Sequence, residues 1–223
     1  MAFPSTGVLD AFTRTDAADL GSGWSANPFN NGATSPRVSS NQAVGQSATF
    51  AFDLVWWNAG TVGPDTEVFV SLPTIGTSGA GSEAYLIARV QSPSSSSSTG
   101  DGYWMEWLGN ATLRFKRLDN GVATVLGASQ TLGALSNGDG LGFEVVGSTL
   151  QAYKRVAGVW SAHGSSRSDT TYTAAGYIGF GGYEDTRTQA FDDFSGGTVI
   201  VPSPYSPPVA APGQRRHQHL LIR

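Results

Sequence analysis

The chain has 223 residues, with 13 Lys+Arg against 17 Asp+Glu, a formal net charge of -4, 29 glycines and no cysteine. A charged fraction of 13% is about half the usual quarter, which excludes a coiled coil, a helical bundle and a charge-driven disordered chain. The missing cysteine excludes a disulfide scaffold, a thiolate zinc site and cysteine catalysis, and the acidic balance argues against nucleic acid, whose binders carry a basic face.

The opening MAFPSTGVLDAF has neither a basic start nor an apolar run of seven residues, so no secretory signal peptide is expected. No stretch reaches the ~20 apolar residues that cross a bilayer, so no membrane partner is expected.

Period-two alternation dominates the rest. Residues 48–57 (ATFAFDLVWW) set Phe50, Phe52, Leu54 and Trp56 on one face, expected to be the core, and Asp53, Val55 and Trp57 on the other. Further strands are predicted at 66–72, 84–90, 103–108, 113–118, 122–126, 141–146, 150–155, 177–180 and 190–194. Asp119-Asn120-Gly121, Asn137-Gly138-Asp139-Gly140 and Gly181-Gly182 read as turns between them. Short strands at this spacing predict an all-β, antiparallel sandwich or barrel over residues 1–200. The hydrophilic run 92–102 (SPSSSSSTGDG) is expected to be a flexible loop.

Residues 201–223 differ in kind. They hold five of the 11 prolines and no acid, whereas residues 1–200 carry ten basic and 17 acidic side chains, a net of -7. An extended arm is expected there, unable to build a core alone. Arg215, Arg216 and Arg223 would pair with an acidic surface on a neighbouring subunit, and Leu220-Leu221-Ile222 would anchor in a small apolar pocket.

Asp10-Ala11-Phe12-Thr13-Arg14, with Asp16, Leu20-Gly21 and Trp24, resembles the opening of concanavalin A-like lectin/glucanase (laminin-G-like) jelly rolls. Residues 138–150 (GDGLGFEVVGSTL) resemble that family's late hairpin, and 175–180 (AGYIGF) with 191–194 (FDDF) resemble its closing strands. The resemblance covers about residues 7–200 and implies a jelly-roll sandwich. Stand-alone domains of this kind with an extended tail are also similar to virion proteins of tailed bacteriophages. The expected function is therefore a virion structural or attachment protein, made in the host cytoplasm and held in a homo-oligomer or larger assembly by its arm. The alternative is a free-standing carbohydrate-binding module or lectin.

No enzyme activity is expected. Hydrolytic relatives carry a Glu-x-Asp-x-x-Glu string, which is absent here, and the acids in Glu184-Asp185 and Asp192-Asp193 are adjacent, so they face opposite ways on a strand. His163 lacks a surrounding Gly-x-Ser-x-Gly and reads as a turn histidine in solvent. The resemblance also implies that a structural calcium would sit where the first and last strands meet, on Asp10, Asp192 or Asp193. For a sugar, Asp53, Trp57, Tyr85, Arg89, Trp104 and Glu106 would converge on one sheet face, aromatic rings stacking on the pyranose and charged groups bonding its hydroxyls. The competing expectation is that these aromatics fill a second packed layer or a subunit interface.

Overall fold

A computed structural model of the chain describes residues 2–46, 51–76, 82–109, 111–184 and 188–200. Among the described residues there are sixteen strands and no helix. In chain order they are β1 (Val8–Asp10), β2 (Trp24–Ala26), β3 (Arg37–Ser39), β4 (Gln42–Val44), β5 (Ala51–Trp57), β6 (Thr66–Thr74), β7 (Glu83–Gln91) and β8 (Asp101–Leu108). There follow β9 (Thr112–Asp119), β10 (Val122–Val125), β11 (Gln130–Thr131), β12 (Gly140–Val146), β13 (Thr149–Val156), β14 (Val159–Ser168), β15 (Tyr177–Glu184) and β16 (Ala190–Thr198). All ten predicted segments lie in or overlap strands.

Two antiparallel sheets form the sandwich. The first runs β14-β13-β12-β6-β16-β4-β3, with β1 paired to β16; the second runs β10-β9-β8-β7-β15-β5-β2, with β11 paired to β9. Between them lies a core built by alternation: Val68, Val70, Leu141, Phe143, Val145 and Leu150 from the first sheet meet Leu86, Tyr103, Met105, Phe115 and Phe180 from the second. Each of these is nearly or wholly buried, and burying one such aliphatic or aromatic side chain stabilises the fold by about 1.5–3 kcal/mol.

The second sheet is also covered on its outer face. Phe29, Leu54, Tyr85, Ile87, Trp104 and Leu118 form a separate buried cluster there, with Trp56 and Tyr183 packed against it. The loop that carries Phe29 is pinned by Asn27 N–H donating to Leu54 O (2.9 Å) and by Ser94 N–H donating to Pro28 O (3.1 Å). The expected faces of β5 are therefore reversed. Val55 and Trp57 pack toward the core between the sheets, and Leu54 and Trp56 toward the outer cluster. Hydrophobicity does not distinguish the two faces of a strand that is covered on both.

β15 shows how closely the strands must approach. A Cβ on Gly179 would stand 2.0 Å from the Val55 carbonyl oxygen and 2.8 Å from Trp56 Cα, so only glycine fits between β5 and β7 at that position.

Candidate functional site

The Asp-x-Phe-x-Arg opening builds one corner of the sandwich. β1 ends at Asp10, and Phe12 turns the chain with a φ of 49°. The Asp10 carboxylate is then filled from four sides. Oδ1 accepts from Phe12 N (2.8 Å) and Arg14 Nη1 (2.7 Å); Oδ2 accepts from Arg14 Nη2 (3.0 Å) and Trp24 Nε1 (2.9 Å). Arg14 Nη2 also donates to Leu20 O at 2.7 Å. Burial alone would raise the Asp10 carboxyl, but the Arg14 and Trp24 hydrogen bonds outweigh it and hold the group below its ordinary value.

Trp24 pairs with Trp57 in register across β2 and β5, and the two indoles meet edge to face at 5.3 Å. Trp57 stays half-buried. Between it and Arg14 opens a cleft of about 270 Å³, lined also by Trp24, Asp10 and the exposed Gly21-Ser22 turn. Gly23 leaves room for the ring: a Cβ there would lie 3.1 Å from the Trp57 indole. The cleft thus offers an indole, a guanidinium with 36% of its side-chain surface exposed and a hydroxyl, with the Arg14 charge compensated by Asp10. That set suits a neutral, hydroxyl-rich ring.

The six residues expected to bind a sugar do not come together. Tyr85, Trp104 and Glu106 do share the outer face of the second sheet, but all three are buried, at 0%, 4% and 2% exposure. Phe29 stacks on Trp104 at 5.8 Å, Tyr85 meets it edge-on at 4.8 Å, and Lys116 lies over its ring at 5.7 Å. The Trp104 ring is covered by protein on these sides, so the second-layer expectation holds for these residues.

Arg89 leaves their row altogether. The β7–β8 register shifts between Ala88 and Gln91, and Arg89 has a φ of 50°. This bulge turns the side chain inward. There it donates to Pro64 O (2.6 Å), Gly147 O (2.8 Å), Tyr172 O (2.9 Å) and Val145 O (3.2 Å), tying the second sheet to the first. Asp53 is 4% exposed and holds a chain segment. It accepts from the Thr34 hydroxyl and from Gln46 N at 2.8 Å. Only Trp57 of the six lies in the cleft.

The acidic groups of the outer face are committed too. Glu106 Oε2 accepts from Arg114 Nε at 2.7 Å and Oε1 from Lys116. Glu83, close by, accepts from the Tyr85 hydroxyl. Burial pushes the Glu83 carboxyl up, and the Tyr85 hydrogen bond offsets part of that.

The calcium expectation is not met by the geometry of Asp10, whose oxygens are taken by the four donors. Burial pushes the Asp192 carboxyl up, toward its neutral form; the hydrogen bond from Asp193 N (2.8 Å) opposes this, and the Asp193 and Asp10 charges add to it. Asp193 accepts from the Ser71 hydroxyl at 3.1 Å. Among the described residues no three His, Cys, Asp or Glu side chains gather to hold a metal ion. His163 is not a turn residue either. It lies in β14, stacked on Trp107 at 5.2 Å, with Nε2 buried. Arg215, Arg216, Leu220, Leu221, Ile222 and Arg223, with the rest of the arm, lie outside the described residues.

No family model matches this sequence, and no curated protein matches it. Solved structures do. The chain is similar to the carbohydrate binding module CBM66 from Bacillus subtilis (18% identity, 79% of this chain and 96% of that one, TM-score 0.55). It is similar also to the calcium-bound VIP36 exoplasmic/lumenal domain (12% identity, 89% and 92%, TM-score 0.61) and to a legume lectin-like domain from Entamoeba histolytica (11% identity, 80% and 91%, TM-score 0.56). The fold is the concanavalin A-like jelly roll. In this concanavalin A-like body the opening motif is a clip: Asp10, Arg14 and Trp24 close the corner on which the cleft stands.

Proposed function

We propose that this chain is a non-catalytic carbohydrate-binding module that holds a neutral sugar in the Trp57–Arg14 cleft. The observation that carries the reading is the cleft itself, lined by a half-buried indole, a charge-compensated guanidinium and an exposed serine turn. An indole face takes the apolar side of a sugar ring, and the guanidinium N–H groups not spent on Asp10 and Leu20 donate to its hydroxyls. Asp10 cancels the Arg14 charge, and Asp16 and Asp19 lie close by in the chain, so an anionic sugar is disfavoured. The likeness to a carbohydrate binding module and to lectin-like domains supports this reading over that of a virion subunit. The non-catalytic part is supported by Glu106, whose two oxygens are engaged by Arg114 and Lys116. A glycosidase needs one carboxylate to attack or activate water and another to donate a proton.

The test is a glycan array followed by calorimetric titration of the full chain. Ser22→Trp, at an exposed turn on the cleft's rim, obstructs the cleft and leaves the residues of the Asp10–Arg14–Trp24 clip unchanged. It is expected to abolish binding while leaving the thermal midpoint unchanged. A Ser22→Trp protein that binds its glycan as before, or a full chain that binds none, would overturn the proposal.

A further inference from the structure

The outer face of the first sheet carries a slot at its centre. In the register of β6, β12 and β13, Gly142 lies between Phe69 on one side and Tyr153 on the other. A row of aromatic, glycine, aromatic leaves a gap one side chain wide, and Trp160 of β14 adds a further wall. A Cβ on Gly142 would stand 3.2 Å from the Trp160 ring.

Phe3 fills this slot. Its ring stacks on Tyr153 at 3.9 Å with an interplanar angle of 5°, and meets Phe69 and Trp160 edge-on at 5.7 and 5.1 Å. A Cβ on Gly142 would come within 2.4 Å of it. The walls hold one another without Phe3. Phe69 and Trp160 are in edge-on contact at 5.5 Å. The Tyr153 hydroxyl donates to Glu144 Oε2 at 3.1 Å, and Arg155 lies over Trp160 at 5.5 Å while donating to Ser71 at 2.8 Å.

One row further on, Glu67 faces Glu144 across β6 and β12. Glu67 is fully buried, yet its Oε1 takes its donors from the segment that follows Phe3: Ser5 N (2.7 Å), Thr6 N (2.6 Å) and the Thr6 hydroxyl (2.6 Å). Its Oε2 is buried with no hydrogen-bond partner among the described residues. A buried carboxylate is costly unless donors satisfy it. Those observed here come from the segment over it rather than from the sheet beneath. A slot for an aromatic ring and a latch for backbone N–H and hydroxyl groups therefore stand in fixed spacing on one rigid sheet.

We propose that this face is a peptide-docking site, filled in cis by residues 3–6 and able to take the same segment from a second copy of the chain. Gly7 is exposed, with no atom within 4 Å of where its Cβ would stand, and serves as the hinge between the segment and β1. The contacts made in trans are the same as those made in cis. Reciprocal exchange thus yields a two-fold pair at little cost beyond association entropy.

The decisive experiment separates the two halves of the contact. One protein lacks residues 2–6 and so has an open site and no segment. The other is the full chain with Gly142→Val, which closes its own slot and leaves its segment free. Sedimentation velocity of each alone should show monomer, and the mixture should show a one-to-one complex. A labelled peptide of residues 2–8 added to the shortened chain should bind saturably, and the Phe3→Ala peptide about tenfold or more weakly. This titration decides the question if Gly142→Val does not fold. A shortened chain that fails to fold would show that the segment is part of the fold, not a ligand, and overturn the proposal. So would the absence of peptide binding up to millimolar concentration, or equal binding of the Phe3→Ala peptide.

Discussion

Arg89 is the side chain whose loss should tell most about how the two sheets are joined. It is 1% exposed, and its guanidinium donates to four backbone carbonyls: those of Pro64, Gly147, Tyr172 and Val145. Arg89→Met keeps most of the buried stem and removes every donor. Pro64 and Gly147 are in exposed positions, so water can replace the donor at their carbonyls. Val145 is buried outright and Tyr172 half so. At about 1–3 kcal/mol for each acceptor left unsatisfied, less what is recovered by no longer burying a charge, the expected cost is about 3–5 kcal/mol. That is a large share of the roughly 5–15 kcal/mol that holds a domain folded. With a urea m-value of about 2–3 kcal/mol/M, the midpoint of urea unfolding, followed by tryptophan fluorescence, should fall by about 1.5 M. Arg89→Lys should fall nearly as far, because one ammonium cannot serve four carbonyls on separate segments. A midpoint within about 0.3 M of the parent for Arg89→Met would refute the argument that this fork joins the sheets.

The bulge that turns Arg89 inward also marks the limit of what alternation can show. Period-two patterning located strands β5 to β9, β12, β13, β15 and β16, because each buries at least one face, and it located the exposed β10 by its apolar valines and the Asn120-Gly121 turn before it. It failed at β14, VWSAHGSSRS, an edge strand mostly exposed on both faces, where backbone pairing to β13 replaces hydrophobic period. It failed again at Arg89, since one extra residue in a bulge moves the next side chain to the other face. In the candidate site Asp10 and Trp57 were both legible as residues but belonged to two different expected sites. What unites them is the pairing of β1 with β16 and of β2 with β5, contacts between segments far apart in the chain that no local pattern encodes. The Phe3 slot did leave a trace in the sequence: Gly142 stands between Leu141 and Phe143 in β12. Its meaning depends on knowing that Phe69 and Tyr153 flank it.

Three further outcomes are expected. Gly179→Ala should cost more than about 4 kcal/mol, seen as loss of soluble folded protein or a collapse of the thermal midpoint, because its Cβ would sit 2.0 Å from the Val55 carbonyl oxygen; an alanine variant of parental stability would refute the close approach of β15 and β5. Glu144 is held above its ordinary value by burial and by the nearby Glu67, against the Tyr153 hydrogen bond. Its ionised form is thus disfavoured in the fold, and Glu144→Gln, which keeps an acceptor for Tyr153, should raise the thermal midpoint by about 2–4 °C at pH 7 and by little near pH 4. His163 has the opposite sign: burial and the Lys154 ammonium lower it, with Asp139 opposing. Below its ordinary 6.5 the unfolded chain therefore takes up a proton that the native protein refuses, and stability falls as pH falls, by at most about 1.4 kcal/mol per pH unit for the one group. Asp10 and Asp169, both lowered from 3.8, lose their contribution only at more acid pH, so the window from 6.5 to 5 belongs chiefly to His163. Glu83, Glu144 and Asp192, all raised, act equally in parent and variant and cancel in the difference. His163→Gln should accordingly lose less of its thermal midpoint than the parent between pH 6.5 and 5, and parallel curves would mean that the imidazole stacked on Trp107 is protonated as readily in the native state as in the unfolded one.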